Sequence, residues 1–149
     1  YVRNANWVKL RFRKSGQIIF FFNTHFDNTG EKARHESAVL MVDKIKEIAG
    51  DNAVVFMTGD LNTTSEDKAL KPLATYLKES AKTVKKADET PSFNDFGRNG
   101  ARLQMIDHIF FRNAEARSFN VIDEPKFGVK YISDHYPVIS EFVIEIPKH

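Results

Sequence analysis

Several features that often indicate function are missing from this sequence. No cysteine occurs among the 149 residues, which excludes a disulfide framework and thiolate chemistry and leaves the redox compartment open. No apolar run approaches the roughly 18–20 residues that cross a bilayer, and no signal peptide is visible. The formal net charge of +2 is too small to indicate a nucleic-acid partner by itself, because counterion release needs clustered basic residues. Because the chain opens at Tyr1 rather than Met, we expect a segment to precede it, and secreted, periplasmic and cytoplasmic locations all stay open.

The composition that remains is that of one folded domain. A chain of this length fits the size of a single domain. Hydrophobic residues make up 42% and charged residues 28%, an ordinary balance for a globular protein. Phenylalanine occurs 13 times, so we expect an aromatic core.

Two apolar segments near the start predict a β-hairpin. Val8, Leu10 and Phe12 alternate with basic residues, which predicts a strand with one buried face and one wet face. Residues 14–17 are typical of a turn. Residues 18–22 are continuously apolar, as expected of a strand that is covered on both faces.

A helix and a third strand are predicted next. Asn28 and Glu31 have the spacing of a capping box, and Gly50 is placed to end the helix. Residues 53–57 form another short apolar strand. The order strand, strand, helix, strand predicts an α/β layer structure.

The second half predicts a helix, a loop and three strands. Ser65 is expected to cap a helix that runs to about Leu77 and is kinked or split at Pro72. Residues 78–101 are polar and weakly patterned, which predicts a long loop of the kind that is often functional. Further strands are predicted at 103–111, 116–122 and 138–146.

Polar residues capable of chemistry interrupt or adjoin four of these apolar strands. They are His25, Asp60 with Asn62, Asp107, and Asp134 with His135. A carboxylate and an amide two residues apart suit a hard cation such as magnesium. An aspartate inside an apolar strand is costly to bury without a partner, so Asp107 is predicted to pair with His135 and orient it. His108 faces the opposite side of the strand from Asp107 and is interpreted as structural.

Each of these segments also has a plainer interpretation. A lone histidine is usually a satisfied core or surface residue, Asp60 and Asn62 could form an Asx turn, and Asp134 with His135 could be a polar turn. Together, the four segments favour a site that handles phosphate and metal.

The motifs Asn-Thr-His-x-Asp, Gly-Asp-Leu-Asn, Ile-Asp-His-Ile-Phe and Ser-Asp-His-Tyr-Pro-Val resemble those of the endonuclease/exonuclease/phosphatase superfamily in order and rough spacing. The resemblance extends from about Trp7 to Ile146 and is closest to small bacterial members of unassigned substrate. It implies an α/β fold that is half or most of a four-layer β-sandwich flanked by helices. Residues 1–149 would be the C-terminal part of that domain.

The resemblance also implies a role for each motif residue in a phosphoesterase. His25 and His135 would flank the scissile phosphate, Asp60 would orient or deprotonate the attacking water, and Asn62 would hold a phosphate oxygen. Asp107 would pair with His135. Such a set supplies the positioning and charge neutralisation that phosphoryl transfer needs.

The implied cofactor is magnesium, with manganese as a substitute, and the implied metal ligands are Asp60, Asn62 and Asp134. In the long loop, the implied substrate contacts are Phe93, Asn94, Arg98 and Arg102. The implied substrate is a phosphate ester, whether a nucleic acid, a phospholipid head group or an inositol phosphate.

One departure from the family pattern bears on activity. Family members carry an earlier half with a metal-binding glutamate, and this sequence does not contain that half. We therefore expect the chain to pair with its own copy or with such a half, because an incomplete sandwich exposes apolar surface. An inactive remnant or binding module of the same fold is the alternative. A sugar or lipid head-group binder is a weaker one, since it leaves the pairing of Asp107 with His135 unexplained.

Overall fold

The computed structural model describes residues 2–124 and 128–145, in which strands and helices alternate through the first half. Short 3-10 turns occur at Lys68–Leu70 and Asp95–Gly97. In chain order the strands and helices are β1 (Ala5–Arg11), β2 (Ile18–His25), α1 (Glu31–Ala49), β3 (Val54–Asp60), α2 (Lys71–Tyr76), β4 (Lys78–Glu79), α3 (Ser80–Thr83), β5 (Asp107–Arg112), β6 (Glu115–Val121) and β7 (Val138–Val143).

The strands form two sheets. The larger one has five strands in the order β1-β2-β3-β5-β4, and β2 and β3 are its parallel pair, joined by α1 as the crossover that parallel strands need. The other neighbours in this sheet are antiparallel. β6 and β7 form a separate antiparallel pair. The predicted α/β layer structure is confirmed.

Both faces of the five-stranded sheet carry apolar side chains, as the continuous run at 18–22 predicts. On one face, Phe20 and Phe22 pack with the buried side of α1; we call this the helix face. On the other, which we call the second face, Phe56 and Phe111 pack against Phe142 of β7. The ring centroid of Phe142 lies 4.7 Å from that of Phe56 and 5.0 Å from that of Phe111.

The prediction of a buried face on β1 is wrong. All seven residues of this edge strand are exposed. Val8 and Leu10 are 45% and 48% exposed, although they pair with Phe21 and Ile19 on the second face. The reason is that the β6–β7 pair packs over β3 and β5 and leaves β1 uncovered.

The start of α1 also differs from the prediction. Gly30 occupies the N-cap position, and within the described residues no side chain caps the helix, so Asn28 is not part of a capping box. Instead, the Asp27 carboxylate accepts hydrogen bonds from the main-chain N–H groups of Thr29 and Gly30, at 2.9 and 2.6 Å. Gly50 ends the helix as predicted, with a φ of 71°.

The predicted helix from Ser65 is wrong in its start and its length. Asp67 caps the 3-10 turn that precedes α2, while the Ser65 hydroxyl donates to Glu79 Oε1 at 2.6 Å. Pro72 lies in the first turn of α2, where a missing N–H breaks no helical hydrogen bond. Helix α2 then ends at Tyr76.

The boundaries of the remaining elements are corrected in the same way. The predicted loop at 78–101 contains β4 and α3 at its start. β5 begins at Asp107 rather than at residue 103, and Gln104 makes only an isolated bridge with Phe93. β6 and β7 lie near the predicted spans, but Ile146 lies outside the described residues. No helix in the described part of the chain is long and apolar enough to span a membrane.

Candidate active site

Strand register brings three of the predicted site residues into one row. His25, the last residue of β2, is paired with Asp60, the last residue of β3, and Asp60 is paired with Asp107, the first residue of β5. Because residues in one row of a sheet point to the same face, all three side chains project from the second face at one end of the sheet. The apolar strands therefore serve as rigid supports for a polar group at their ends.

Asp60 lies at the centre of this group. Its Oδ2 atom is 3.3 Å from His25 Nε2 and 3.7 Å from His135 Nε2. Burial raises the pKa of Asp60 above its usual range; the hydrogen bond from the Asn62 N–H opposes this rise, and the charge of Asp107 adds to it. A carboxylate with a raised pKa between two imidazoles is suited to accept a proton.

The predicted pair of Asp107 and His135 is present in the structure. His135 Nδ1 and Asp107 Oδ2 are 2.6 Å apart, and both side chains are mostly buried. A hydrogen bond from Nδ1 to the carboxylate fixes the orientation of the ring and directs Nε2 towards Asp60. Phe93 supports the ring from the side, with its centroid 5.1 Å away in an edge-to-face arrangement.

Asn62 holds the loop that follows β3. Its backbone has a φ of 53°, a left-handed conformation that asparagine tolerates better than most residues. Its N–H donates to Asp60 Oδ1 at 2.8 Å, and its side-chain Nδ2 lies 3.0 Å from both His25 Nε2 and the Phe26 carbonyl oxygen. His25 Nε2 thus lies between a donor, the Asn62 amide, and an acceptor, the Asp60 carboxylate.

Ser92 is a site-supporting residue for which the sequence offers no signal. It is fully buried, and its hydroxyl oxygen accepts hydrogen bonds from the N–H groups of Ile106 and Asp107, both at 3.1 Å. Its carbonyl accepts from the Tyr136 N–H at 2.7 Å. Ser92 therefore joins the start of β5 to the segment that carries His135.

The other predicted loop contacts differ in burial and in their partners. Asn94 is buried, and its side-chain oxygen accepts from the Phe96 N–H. Arg98 is exposed and pairs with Asp95 at 3.2 Å. Arg102 is exposed.

Asp134 contributes main-chain contacts to the site loop. Its carbonyl accepts from the N–H groups of Asn94 and Asp95, at 2.7 and 3.1 Å. Its carboxylate accepts a hydrogen bond from the Ser133 hydroxyl at 3.3 Å. Its role as a metal ligand remains a prediction.

The family can now be assigned. The model of the Endonuclease/Exonuclease/phosphatase family matches residues 3–135. The chain belongs to this family. No protein with a curated description matches it.

Solved structures that match this chain share its fold. A Bacteroides vulgatus endonuclease/exonuclease/phosphatase is 35% identical with a TM-score of 0.82, and the match covers 96% of this chain and 56% of that one. The Bacteroides thetaiotaomicron mannosyl-6-phosphatase Bt3783 is 28% identical with a TM-score of 0.80, and the match covers 95% of this chain and 57% of that one. The human Nocturnin catalytic domain is 20% identical with a TM-score of 0.73, and the match covers 95% of this chain and 53% of that one. At this identity the similarity shows the fold alone. This chain spans a little over half the length of these proteins.

One group of residues has the spacing of a site for a divalent cation. Among the described residues, Asp60, Asp107 and His135 each offer a ligand atom, and these atoms lie within 4.8 Å of one another. The charge of Asp107 contributes to the raised pKa of Asp60, because like charges repel. A cation would relieve that repulsion, and carboxylates and imidazoles are both common ligands of divalent cations. Asp134 is not a member of this group in the part of the chain that the structure describes.

Proposed function

We propose that this chain carries the catalytic residues of a divalent-cation-dependent phosphoesterase. The observation that carries the proposal is the position of Asp60 Oδ2, which lies between the Nε2 atoms of His25 and His135. A carboxylate flanked by two imidazoles can accept a proton from water while an imidazole donates to a phosphate oxygen. Membership of a family that contains nucleases and phosphatases supports the same class of reaction.

The proposed reaction is hydrolysis of a phosphate ester by an activated water. The water oxygen forms the new bond to phosphorus, and Asp60 takes the proton that the water loses. The bond from phosphorus to the ester oxygen breaks, and that oxygen leaves with a proton from His25. Asp107 keeps the His135 ring oriented throughout, because its Oδ2 atom holds Nδ1 at 2.6 Å.

Asp60, Asp107 and His135 would hold the cation, with Asn62 and Asp134 as the further ligands expected from the sequence. When bound, magnesium or manganese would neutralise negative charge on the phosphoryl oxygens. The glutamate of the family's earlier half remains an additional expected ligand.

The proposed substrates are phosphate esters that reach an open site. His25 is 54% exposed, so the site is accessible from solvent without movement of the described chain. The similar Bacteroides thetaiotaomicron protein is a mannosyl-6-phosphatase, which favours a test with a monoester as well as a diester. Nucleic acid, phospholipid head groups and inositol phosphates remain within the same chemistry.

We also propose that the uncovered part of the second face packs against the rest of a full-length family chain. Val8, Leu10 and Phe12 are 45%, 48% and 53% exposed, while similar family proteins are nearly twice as long. Light scattering at high concentration should therefore show self-association, and Leu10→Lys should reduce it. Leu40→Lys, on the exposed side of α1, is the matched control. A clean monomer at every concentration would contradict this proposal.

Hydrolysis of bis(p-nitrophenyl) phosphate and p-nitrophenyl phosphate, with and without magnesium, tests the catalytic proposal. Asp60→Asn and His135→Ala should abolish activity. The matched controls Asp43→Asn and His35→Ala, both on α1, should preserve it. The same assay on a chain extended at its N-terminus tests whether the expected glutamate is needed.

Four outcomes are informative. Activity that is lost in both site variants supports the proposal, and activity that appears only in the extended chain shows that the site is completed from outside this sequence. Activity that survives both site substitutions contradicts the assignment. If neither chain is active, the inactive remnant or binding module is favoured instead.

A further inference from the structure

A buried histidine–glutamate pair lies directly behind the site, on the opposite side of β5 from Asp107. The side chains of His108 and Glu79 are 1% and 5% exposed, and His108 Nδ1 is 2.7 Å from Glu79 Oε1. On the other side of the ring, His108 Nε2 is 2.8 Å from the Thr63 carbonyl oxygen. The Ser65 hydroxyl donates to the same glutamate oxygen at 2.6 Å.

The partners of His108 fix the position of its ring. The Thr63 carbonyl oxygen only accepts hydrogen bonds, so His108 Nε2 donates to it, while Nδ1 faces Glu79 Oε1. Burial raises the pKa of Glu79, but its hydrogen bonds with His108 and the Ser65 hydroxyl outweigh it, so the pKa lies below its usual value. The ring is therefore held by hydrogen bonds on both sides.

Such a pair is a poor way to gain stability alone. The cost of removing two ionisable groups from water offsets much of their attraction, and apolar residues of similar volume often stabilise as well or better. The neighbouring positions of this buried pair are apolar, since Phe110 and Ile109 of the same strand are buried. A role in positioning accounts for the pair better than a contribution to stability does.

The contacts of His108 show what it positions. It follows Asp107 in β5, and its ring binds the carbonyl of Thr63, which follows Asn62. On the other side of Asn62, the Leu61 N–H donates to the Ile106 carbonyl at 2.9 Å. The two residues that flank Asn62 are therefore both hydrogen-bonded to residues at the start of β5.

This double attachment matters because Asn62 has a left-handed backbone, with a φ of 53°. A non-glycine residue in that conformation persists where its surroundings hold it there. The same residue places its amide 3.0 Å from His25 Nε2 and its N–H 2.8 Å from Asp60 Oδ1. Release of Thr63 would let this backbone relax and withdraw both contacts.

We infer that His108 and Glu79 are positioning residues of the active site. Through the Thr63 carbonyl, they hold Asn62 in the conformation that fixes His25 and Asp60, and they keep that loop in register with Asp107. The kinetic consequence rests on the proposed phosphoesterase function, whereas the structural consequence does not. The two can therefore be tested separately.

The structural test uses NMR of the chain itself, without substrate. His108→Phe keeps an aromatic ring in the buried position but removes one hydrogen-bond partner of Glu79, so it should fold with lowered stability. It should shift the signals of the Asn62 side-chain amide and the His25 ring. Leu73→Ala, which opens the core beneath α1, is the control for lowered stability and should leave both signals in place.

The kinetic test compares kcat and KM on p-nitrophenyl esters under the conditions in which the parent is active. Loss of a residue that orients a site typically costs about 10–100-fold, so His108→Phe should lower kcat by about that factor with KM changed little. Glu79→Gln keeps an oxygen that can accept from His108 and should lose less. It also serves as the second variant if His108→Phe fails to fold.

Unchanged Asn62 and His25 signals in a folded His108→Phe protein would overturn the inference, whether or not the chain is active. An equal fall in kcat for Leu73→Ala at matched stability would also overturn it, because the effect would then be general. If neither the parent nor the extended chain hydrolyses an ester, the phosphoesterase proposal fails, while the NMR comparison still decides this inference.

Discussion

The close approach of β2 and β3 at Gly59 gives the sharpest stability prediction. A Cβ added at Gly59 would lie 2.0 Å from the Thr24 carbonyl oxygen, closer than real Cβ atoms come to other heavy atoms. Thr24 pairs with Gly59 in the register, and the next row joins His25 to Asp60. Gly59→Ala must therefore push β2 and β3 apart immediately beside the site.

The magnitude follows from two opposing effects. Overpacking in a well-packed region costs about 1–3 kcal/mol, because backbone must move. Alanine also reduces the freedom of the unfolded chain, which returns about 0.4–1 kcal/mol. The net loss should be about 1–2 kcal/mol, and for a chain of this size that lowers Tm by roughly 2–8 °C.

Urea unfolding and thermal melts measure this loss, and the His25 ring signal in NMR reports the site. Gly100→Ala is the control, because no described atom lies within 4 Å of a Cβ there, although its φ of 80° adds a backbone cost. Gly59→Ala should move the His25 signal, and Gly100→Ala should not. A Gly59→Ala protein as stable as the parent, with an unmoved His25 signal, would refute this reasoning.

Three further predictions follow from the structure. The pKa of Asp27 is lowered from 3.8 to about 2, chiefly by the N–H of Gly30, so the stability it contributes is present above about pH 4 and lost as pH falls towards 2. Urea unfolding across that range should show a smaller loss in Asp27→Asn than in the parent, and equal slopes would contradict the assignment. Phe142→Ala should lower the free energy of unfolding by about 3 kcal/mol, the low end for a buried phenylalanine, because the residue is partly exposed. A loss under about 1 kcal/mol would show that β7 packs loosely on the larger sheet. Asp107→Asn should release the His135 ring and lower kcat by about 10–100-fold, with little change in Tm; an unchanged kcat would show that the pair is not used.

The fold and the central site residues could be predicted because both depend on short patterns. Apolar runs locate the buried strands, and polar residues at strand ends stand out against them. Strand register then makes His25, Asp60 and Asp107 neighbours, which agrees with the sequence-based hypothesis. What Asp134, Asn94, Arg98 and Arg102 do in the reaction stays a prediction.

The errors arise where a distant partner decides the outcome. The alternation in β1 correctly predicts a strand, but no local pattern says whether another layer will cover it. Ser65 has the chemistry of a helix cap, yet its hydroxyl is used by Glu79, fourteen residues away in sequence. Ser92 holds the start of β5 through two N–H groups that are 14 and 15 residues further along the chain. Its position in a polar loop gives no sign of this role.

The most direct test of the candidate site is the effect of Mn²⁺ on the histidine ring signals in NMR. A cation held by Asp60, Asp107 and His135 should broaden the signals of His135 and His25 at the lowest concentrations. His35, on α1, should remain sharp, and Asp60→Asn should shift the effect to higher concentrations. Uniform broadening of all histidines, or a sharp His135 signal beside a broadened His35, would contradict the account.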